Sequence, residues 1–369
     1  MVETELVVID EEKIDESEEK QLIEKAGTIL KEGGLVAFPT ETVYGLGGDA
    51  LQKESSRKIY AAKGRPSDNP LIVHICRWED MKKITEEIPK EAEMLAKAFW
   101  PGPLTMILKK SEAVPLETTG GLNTVAVRMP ENKVALALIE ASGGYVAAPS
   151  ANTSGKPSPT LASHVYEDLA GKIEMILDGG AVGIGLESTI IDLTEATPMI
   201  LRPGYITKEM LEDALGKEVA VDKTLLDAAA KQAPKAPGMK YRHYAPKGEL
   251  TIVSGDAEAV TDAIQKLTKE KMQAGEKVGV ICTDETKALY EAHCIASVGA
   301  RTDEEAIARH LYAILRDFDT EEVTCIYSEA FSEKGIGQAI MNRLLKAAGH
   351  HVLKIEEKAG GNENDSNRK

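Results

Sequence analysis

Aromatic residues make up only 4% of this 369-residue chain. That is too few for stacked-ring ligand platforms, so the cores must rest on Val, Ile, Leu and Ala. Cysteine is scarce too: Cys76, Cys282, Cys294 and Cys325 lie far apart with no C-x-x-C pair. Such spacing speaks against a disulfide framework or a zinc site and reads as buried thiols of a reducing compartment. No apolar run approaches the roughly 18 residues of a membrane span. The N-terminus is acidic where a secretory signal is basic and then apolar. The expectation is a soluble cytoplasmic protein without membrane contact.

Basic charge is also short. The net charge is −16, of which residues 1–20 carry −7 and residues 356–369 carry −1, leaving −8 for the body. An acidic body argues against a broad nucleic-acid footprint, which needs a basic stripe. It does not exclude a small cationic cleft, because local charge in a low-dielectric pocket outweighs the global field.

What is there is apolar patterning, with 43% hydrophobic residues in short runs that alternate with amphipathic stretches. Strands are predicted at 35–38, 71–75, 104–110, 124–130, 145–149, 174–177, 189–193 and 199–202. Helices are predicted at 53–62, 89–99, 131–141, 160–170 and 207–215. An earlier helix follows a capping box of Asp15 and Glu18 and stops at Gly33-Gly34. This is α/β layering with some antiparallel pairing, over a first unit spanning 15–220. Residues 221–248 have no period and hold Lys240-Tyr241-Arg242-His243-Tyr244 between prolines. They read as a functional linker, since a passive one would be rich in Gly, Ser and Glu. A second unit, 249–355, has strands near 250–253, 277–282, 293–298, 323–327 and 350–355. Its helices are 257–273, 303–318 (capped by Thr302 with Glu305) and 338–348, a pattern that suggests a small doubly wound parallel sheet. The tail 356–369 reads as disordered.

The usual catalytic signatures are missing. Gly45-Leu46-Gly47-Gly48 fails the third glycine of a dinucleotide loop, no P-loop occurs, and no Ser or Cys sits in a nucleophile elbow. Two polar loops remain, 63–70 and 148–159, each mixing cations, hydroxyls and amides with proline and glycine. In an extended backbone Lys63, Arg65, Ser67 and Asn69 point one way, and Ser150 and Asn152 point together. Such sets grip polyanions, although they also suit polar surface loops. Arg128, at a strand end before Pro130, is placed to take a carboxylate or phosphate, or to form a surface salt bridge. Phe38 to Gly45 sets Thr40, Thr42 and Tyr44 on one side. His74 is a lone histidine in an apolar strand, a core residue or a ligand. Ser188 and the strand-end Arg202 add further polar groups.

These stretches resemble the YrdC-like family of threonylcarbamoyl-AMP synthases in its long two-domain form. The resemblance rests on FPTETVYGLG at 38–47, KGRPSDNPLIVHI at 63–75, WPGPLT at 100–105, TVAVRMP at 124–130 and APSANTSGKPSPT at 148–160. ESTIIDL at 187–193, ILRPG at 200–204, APGMKYRHYAP at 236–246 and GIGQAIMNRLLKAAG at 335–349 extend it. It implies an N-terminal YrdC-like twisted mixed-sheet α/β domain and a smaller C-terminal doubly wound, Rossmann-like α/β domain. It also implies a nucleotidyltransferase reaction in which L-threonine, bicarbonate and ATP give threonylcarbamoyl-AMP and pyrophosphate. A downstream tRNA threonylcarbamoyl transferase would consume the product.

By the same resemblance Lys63, Arg65, Ser150 and Asn152 form the catalytic cluster. Thr40, His74, Arg128 and Ser188 hold threonine, with Arg128 on its carboxylate. Ser67, Thr124, Ser158, Arg202 and Tyr241, with Lys63 and Ser150, bind ATP. Mg²⁺ enters on the ATP phosphates, without dedicated protein ligands. Two alternatives are an RNA-binding module and a carbamoyltransferase that makes a carbamoyl-adenylate. The first is opposed by the acidic body, the second by the absence of paired zinc-ligand cysteines and of an acylphosphatase unit.

Overall fold

The computed structural model describes residues 2–222, 236 and 244–355. The first unit is built on β1 (Glu5–Val8), β2 (Val36–Phe38), β3 (Gly45–Asp49), β4 (Ile72–His74) and β5 (Leu104–Lys109). To these it adds β6 (Thr124–Arg128), β7 (Val146–Ala147), β8 (Met175–Asp178), β9 (Thr189–Asp192), β10 (Met199–Arg202) and β11 (Ala220–Val221). Among the described residues they form one eleven-stranded sheet, ordered β1-β8-β2-β3-β7-β4-β6-β5-β9-β10-β11. It is mixed: β4 runs parallel to β6, while β5 is antiparallel to β6 and β7 to β4.

The second unit is an all-parallel sheet of β12 (Glu249–Ser254), β13 (Val278–Cys282), β14 (Cys294–Ser297), β15 (Cys325–Glu329) and β16 (Val352–Lys354). Its order is β14-β13-β15-β12-β16. Helices Ala257–Gln273, Glu304–Thr320 and Ile336–Ala347 connect the strands, which is the expected doubly wound pattern. No helix among the described residues is long and apolar enough to cross a membrane.

Several local readings are corrected. Helix Ser17–Lys31 follows Glu16 with no side-chain cap, so the Asp15–Glu18 box does not form. Helix Glu304–Thr320 is capped by Asp303, whose carboxylate accepts from the Ala306 amide. Asp there outcompetes a Thr302 box, and Glu305 instead accepts a hydrogen bond from Tyr205 at 2.9 Å. The first sheet already takes in Glu5–Val8, ahead of residue 15, by parallel pairing with β8. Gly45–Asp49 is a strand that was not among the predicted ones. The cysteines are free, but only Cys282 and Cys325 are buried while Cys76 and Cys294 are half-buried.

The two units share a core. Val43 and Leu186 of the first pack with Leu311, Tyr312 and Ile340 of the second and with Tyr244 of the segment between them. Of the 221–248 segment, Ala236 is wholly buried among Ile72, Ile107, Ala126, Ile190 and Leu201. Tyr241 and His243, like the tail 356–369, lie outside the described residues.

Candidate active site

One cleft gathers most of the polar residues singled out above, and its first wall starts at the end of helix Lys53–Lys63. That helix buries Ile59 and Tyr60 and stops at Gly64, whose φ of 61° provides the left-handed cap that favours glycine. The stop turns Lys63 inward. Its ammonium donates to the carbonyls of Ser150 and Asn152 and to Asn152 Oδ1 at 3.3 Å, so its hydrogens are met within the protein. Arg65 donates from Nε to the Asn69 carbonyl at 3.2 Å and from Nη2 to the Pro70 carbonyl at 3.0 Å. Burial, then the neighbouring Arg65, pushes the Lys63 pKa well down, and burial lowers Arg65 to about 10. Two desolvated cations side by side favour an anion between them.

This geometry replaces the extended reading of 63–69. The chain is a helix end followed by a turn, with the Asn69 amide donating to the Pro66 carbonyl, so alternate side chains do not share a face. Asn69 is buried, and Ser67 opens on a separate shallow depression with Tyr60, Asp68 and Gly121.

The second wall is the loop after β7. Ser150 and Asn152 do point together, Ser150 Oγ donating to Asn152 Oδ1 at 2.6 Å. The Asn152 amide nitrogen closes the loop on the Thr153 and Lys156 carbonyls, both at 2.9 Å. Ser150 also bridges to Gly45. A Cβ on Gly45 would stand 3.3 Å from the Phe38 ring and 3.4 Å from Ala148, so glycine leaves room for these two buried side chains where strand and loop meet. Ser154 lines the same wall, and its buried hydroxyl has no hydrogen-bond partner among the described residues.

Opposite stand the ends of β4, β6, β9 and β10. Arg128 is buried and pairs with Glu41 at 2.5 Å, with Thr42 Oγ1 at 2.9 Å and with the Gly102 carbonyl at 3.3 Å; it is no surface salt bridge. Residues 39–43 form a turn in which Thr40 Oγ1 bonds Thr42 and the Val43 backbone. Tyr44 therefore leaves the Thr40–Thr42 side and reaches back to the Gly180 carbonyl. His74 Nδ1 lies 3.2 Å from the Ile72 carbonyl. Burial, then the charge of Arg128, lowers its pKa to about 3, so the ring is neutral. Arg202 donates to the Ser188 carbonyl and to Ser188 Oγ, each at 3.0 Å, and Ser188 Oγ meets Thr105 Oγ1 at 2.7 Å.

The cleft thus brings together Thr40, Lys63, Arg65, His74, Arg128, Ser150, Asn152, Ser188 and Arg202. Ser67 and Thr124 do not line it; Thr124 pairs with Lys109 at the far end of β6 from Arg128, about 13 Å along the strand. Ser158 lies behind the wall, its hydroxyl on Glu187. Tyr241 is outside the described residues. Ser154 and Glu187 line the cleft and were not singled out, nor was Glu41, which stands behind it as the partner of Arg128. Tyr244, from the linker run noted above, also lines it. Tyr244 is buried and stacked on Tyr312, with ring centroids 5.1 Å apart. Only the position of Glu41 and Glu187 beside chosen hydroxyls could have flagged them.

Comparison with known proteins accords with this geometry. Residues 28–204 match a family model described as telomere recombination, and residues 206–349 match one described as the C-terminal domain of threonylcarbamoyl-AMP synthase. The chain is 51% identical over 337 residues to a threonylcarbamoyl-AMP synthase of Pyrococcus abyssi, covering 91% of this chain and 97% of that one. It is 50% identical to one of Bacillus subtilis, covering 90% and 94%. A crystal structure of P. abyssi Sua5 complexed with L-threonine superposes with a TM-score of 0.87 at 48% identity, over 96% of this chain and all of that one. With both family models matched in order along one chain, it belongs to the YrdC-like threonylcarbamoyl-AMP synthase family in its long two-domain form.

Proposed function

We propose that this chain joins L-threonine, bicarbonate and ATP into threonylcarbamoyl-AMP and pyrophosphate, an adenylyl transfer that supplies the threonylcarbamoyl modification of tRNA. The observation that carries the reading is the cation set Lys63, Arg65, Arg128 and Arg202 around one cleft in a chain of net charge −16. The threonine amine takes up bicarbonate as a carbamate with loss of water. The carbamate oxygen then attacks the α-phosphorus, and the bond to the β-phosphate breaks as pyrophosphate leaves. Two anions approach while a third departs, so fixed, desolvated cations lower the barrier.

Arg128 takes the threonine carboxylate, with Thr40, Ser188 and neutral His74 around the rest of the amino acid. Lys63 and Arg65 face the phosphates and the carbamate, and Ser150 and Asn152 complete that shell. Arg202 supports the nucleotide, and Tyr241 from the linker adds to it. Ser67, Thr124 and Ser158 lie off the cleft and serve only if the nucleotide extends toward them. Among the described residues no group of three or more His, Cys, Asp or Glu could hold a metal. Asn152 Oδ1 is taken up by Lys63 and Ser150, so the neutral donor that would fit beside a metal carried in on ATP is Ser150 Oγ, whose lone pairs stay open. Mg²⁺ there would neutralise phosphate charge. No protein nucleophile is needed.

The test is pyrophosphate release. Release that requires threonine, bicarbonate and ATP together supports the reading; release with ATP alone, or none with all three, rejects it.

A further inference from the structure

Arg343 belongs to the second unit, on helix Ile336–Ala347, yet its guanidinium is wholly buried against the first. Nε donates to Glu187 Oε2 at 3.0 Å, Nη1 to the Pro203 carbonyl at 2.6 Å and Nη2 to the Glu187 carbonyl at 3.4 Å. Glu187 directly precedes Ser188, and Pro203 directly follows Arg202. One fork therefore spans the two chain segments whose next residues form the Ser188–Arg202 pair of the cleft. The segments already touch: a Cβ on Gly204 would stand 2.4 Å from the Thr189 amide nitrogen.

The electrostatics runs the same way. Burial alone would raise the Glu187 carboxyl, but Arg343 and Arg202 together hold it down to about 2. The carboxylate is turned to the back of the wall, toward Arg343, Ser158 and Tyr312. Among the described residues no ion pair joins it to Arg202. After Arg343, the cation whose charge acts most on the Glu187 carboxylate is Arg202, and pairing there would spend the guanidinium that faces the cleft.

We propose that Arg343 is a positioning residue for adenylation: it staples the Ser188 and Arg202 strand ends together and draws Glu187 off Arg202. The second unit thereby shapes the wall of a site that lies in the first. This rests on the reaction proposed above.

The test uses the full chain with Arg343→Met, Arg343→Lys, Glu187→Gln and the double Arg343→Met/Glu187→Gln variant. Arg343→Met alone strands a buried anion and can lose stability for that reason. The double variant removes both charges, so it keeps a cooperative melt while still lacking the fork to Pro203. In it kcat/KM should fall about 10- to 100-fold, the scale of a small misplacement of reacting groups, with the KM for ATP raised more than that for threonine. Amides of 188–190 and 202–204 should exchange faster with solvent, and Arg343→Lys should recover part of both effects. A folded double variant with wild-type kcat/KM and wild-type amide protection overturns the proposal. So does an activity loss in Arg343→Met that tracks only the unfolded fraction. If the wild-type chain itself forms no product, the reaction reading fails, and amide exchange still decides the staple.

Discussion

Arg128 Nη2 stands 2.5 Å from Glu41 Oε1, and both side chains are almost wholly withdrawn from water. The guanidinium proposed for the threonine carboxylate thus already holds a carboxylate of its own chain. Glu41→Gln should leave Arg128 buried and unpaired, destabilising the free protein by about 3–5 kcal/mol. Added threonine should then raise the melting temperature more in the variant than in the wild type. An equal or smaller ligand shift would mean that threonine does not take over the place of Glu41.

Arg128→Ala removes a charge-assisted contact worth about 1.5–3 kcal/mol. The KM for threonine should rise roughly 10- to 100-fold while the KM for ATP stays near its wild-type value. Measuring both in steady-state pyrophosphate release checks it, and an effect confined to ATP would reassign Arg128.

Lys63→Ala and Arg65→Ala should both remove most turnover, but for Lys63 the fold suffers too. Lys63 is a buried helix residue tying its helix to two carbonyls of the distant Ser150 loop, and each buried carbonyl left unpaired costs about 1–3 kcal/mol. Arg65 is only half-buried, and its two carbonyls belong to its own turn, where water can replace it. Calorimetric melting should therefore show Lys63→Ala clearly less stable than Arg65→Ala. Equal melting temperatures would mean the loop does not depend on Lys63.

Ser154→Ala should leave stability unchanged or slightly improved, since its buried hydroxyl has no partner among the described residues to lose. The KM for ATP should rise several-fold if the hydroxyl meets a ligand oxygen. Unchanged kinetics would mean that this hydroxyl is simply an unsatisfied group.

Acid should weaken the fold through two neutral histidines. Burial, then Arg128, depresses His74 from 6.5 to about 3; burial, then Arg316, depresses His164 to about 4. His164 Nδ1 accepts the Thr160 amide, a bond that protonation of Nδ1 abolishes. Below pH 6.5 the unfolded chain takes up protons that the native rings refuse, so stability falls as pH drops toward 4. The slope is at most about 1.4 kcal/mol per pH unit for each ring. His74→Gln and His164→Gln should each flatten the decline in melting temperature between pH 6.5 and 4.5. Parallel curves for variant and wild type would show that the rings are protonated in the native state.

Much of the molecule was legible before its structure. Apolar strands such as 71–75 and 104–110, and helices ended by glycine such as Lys53–Lys63, carry local signals, and the two α/β units follow from their spacing. Glu5–Val8 was not legible, because three of its four side chains are exposed and it is a strand only through β8. The turn at 63–69 was misread as extended, because Pro66 constrains Arg65 locally while the Gly64 cap and the Lys63 bonds to the 150–152 loop set the actual path.

By itself the sequence determined which chemistry is present: the cations, hydroxyls and amides of two proline- and glycine-marked loops, and the order of strands and helices. Those are properties of single residues and near neighbours. Only the tertiary structure decided that Arg128 faces Glu41, that Ser67 and Thr124 stand away from the cleft, and that Arg343 closes on Glu187 from 156 residues along the chain. Such partners are chosen where segments distant in sequence are packed together out of water, because a buried charge must be paired there and no local preference says with which.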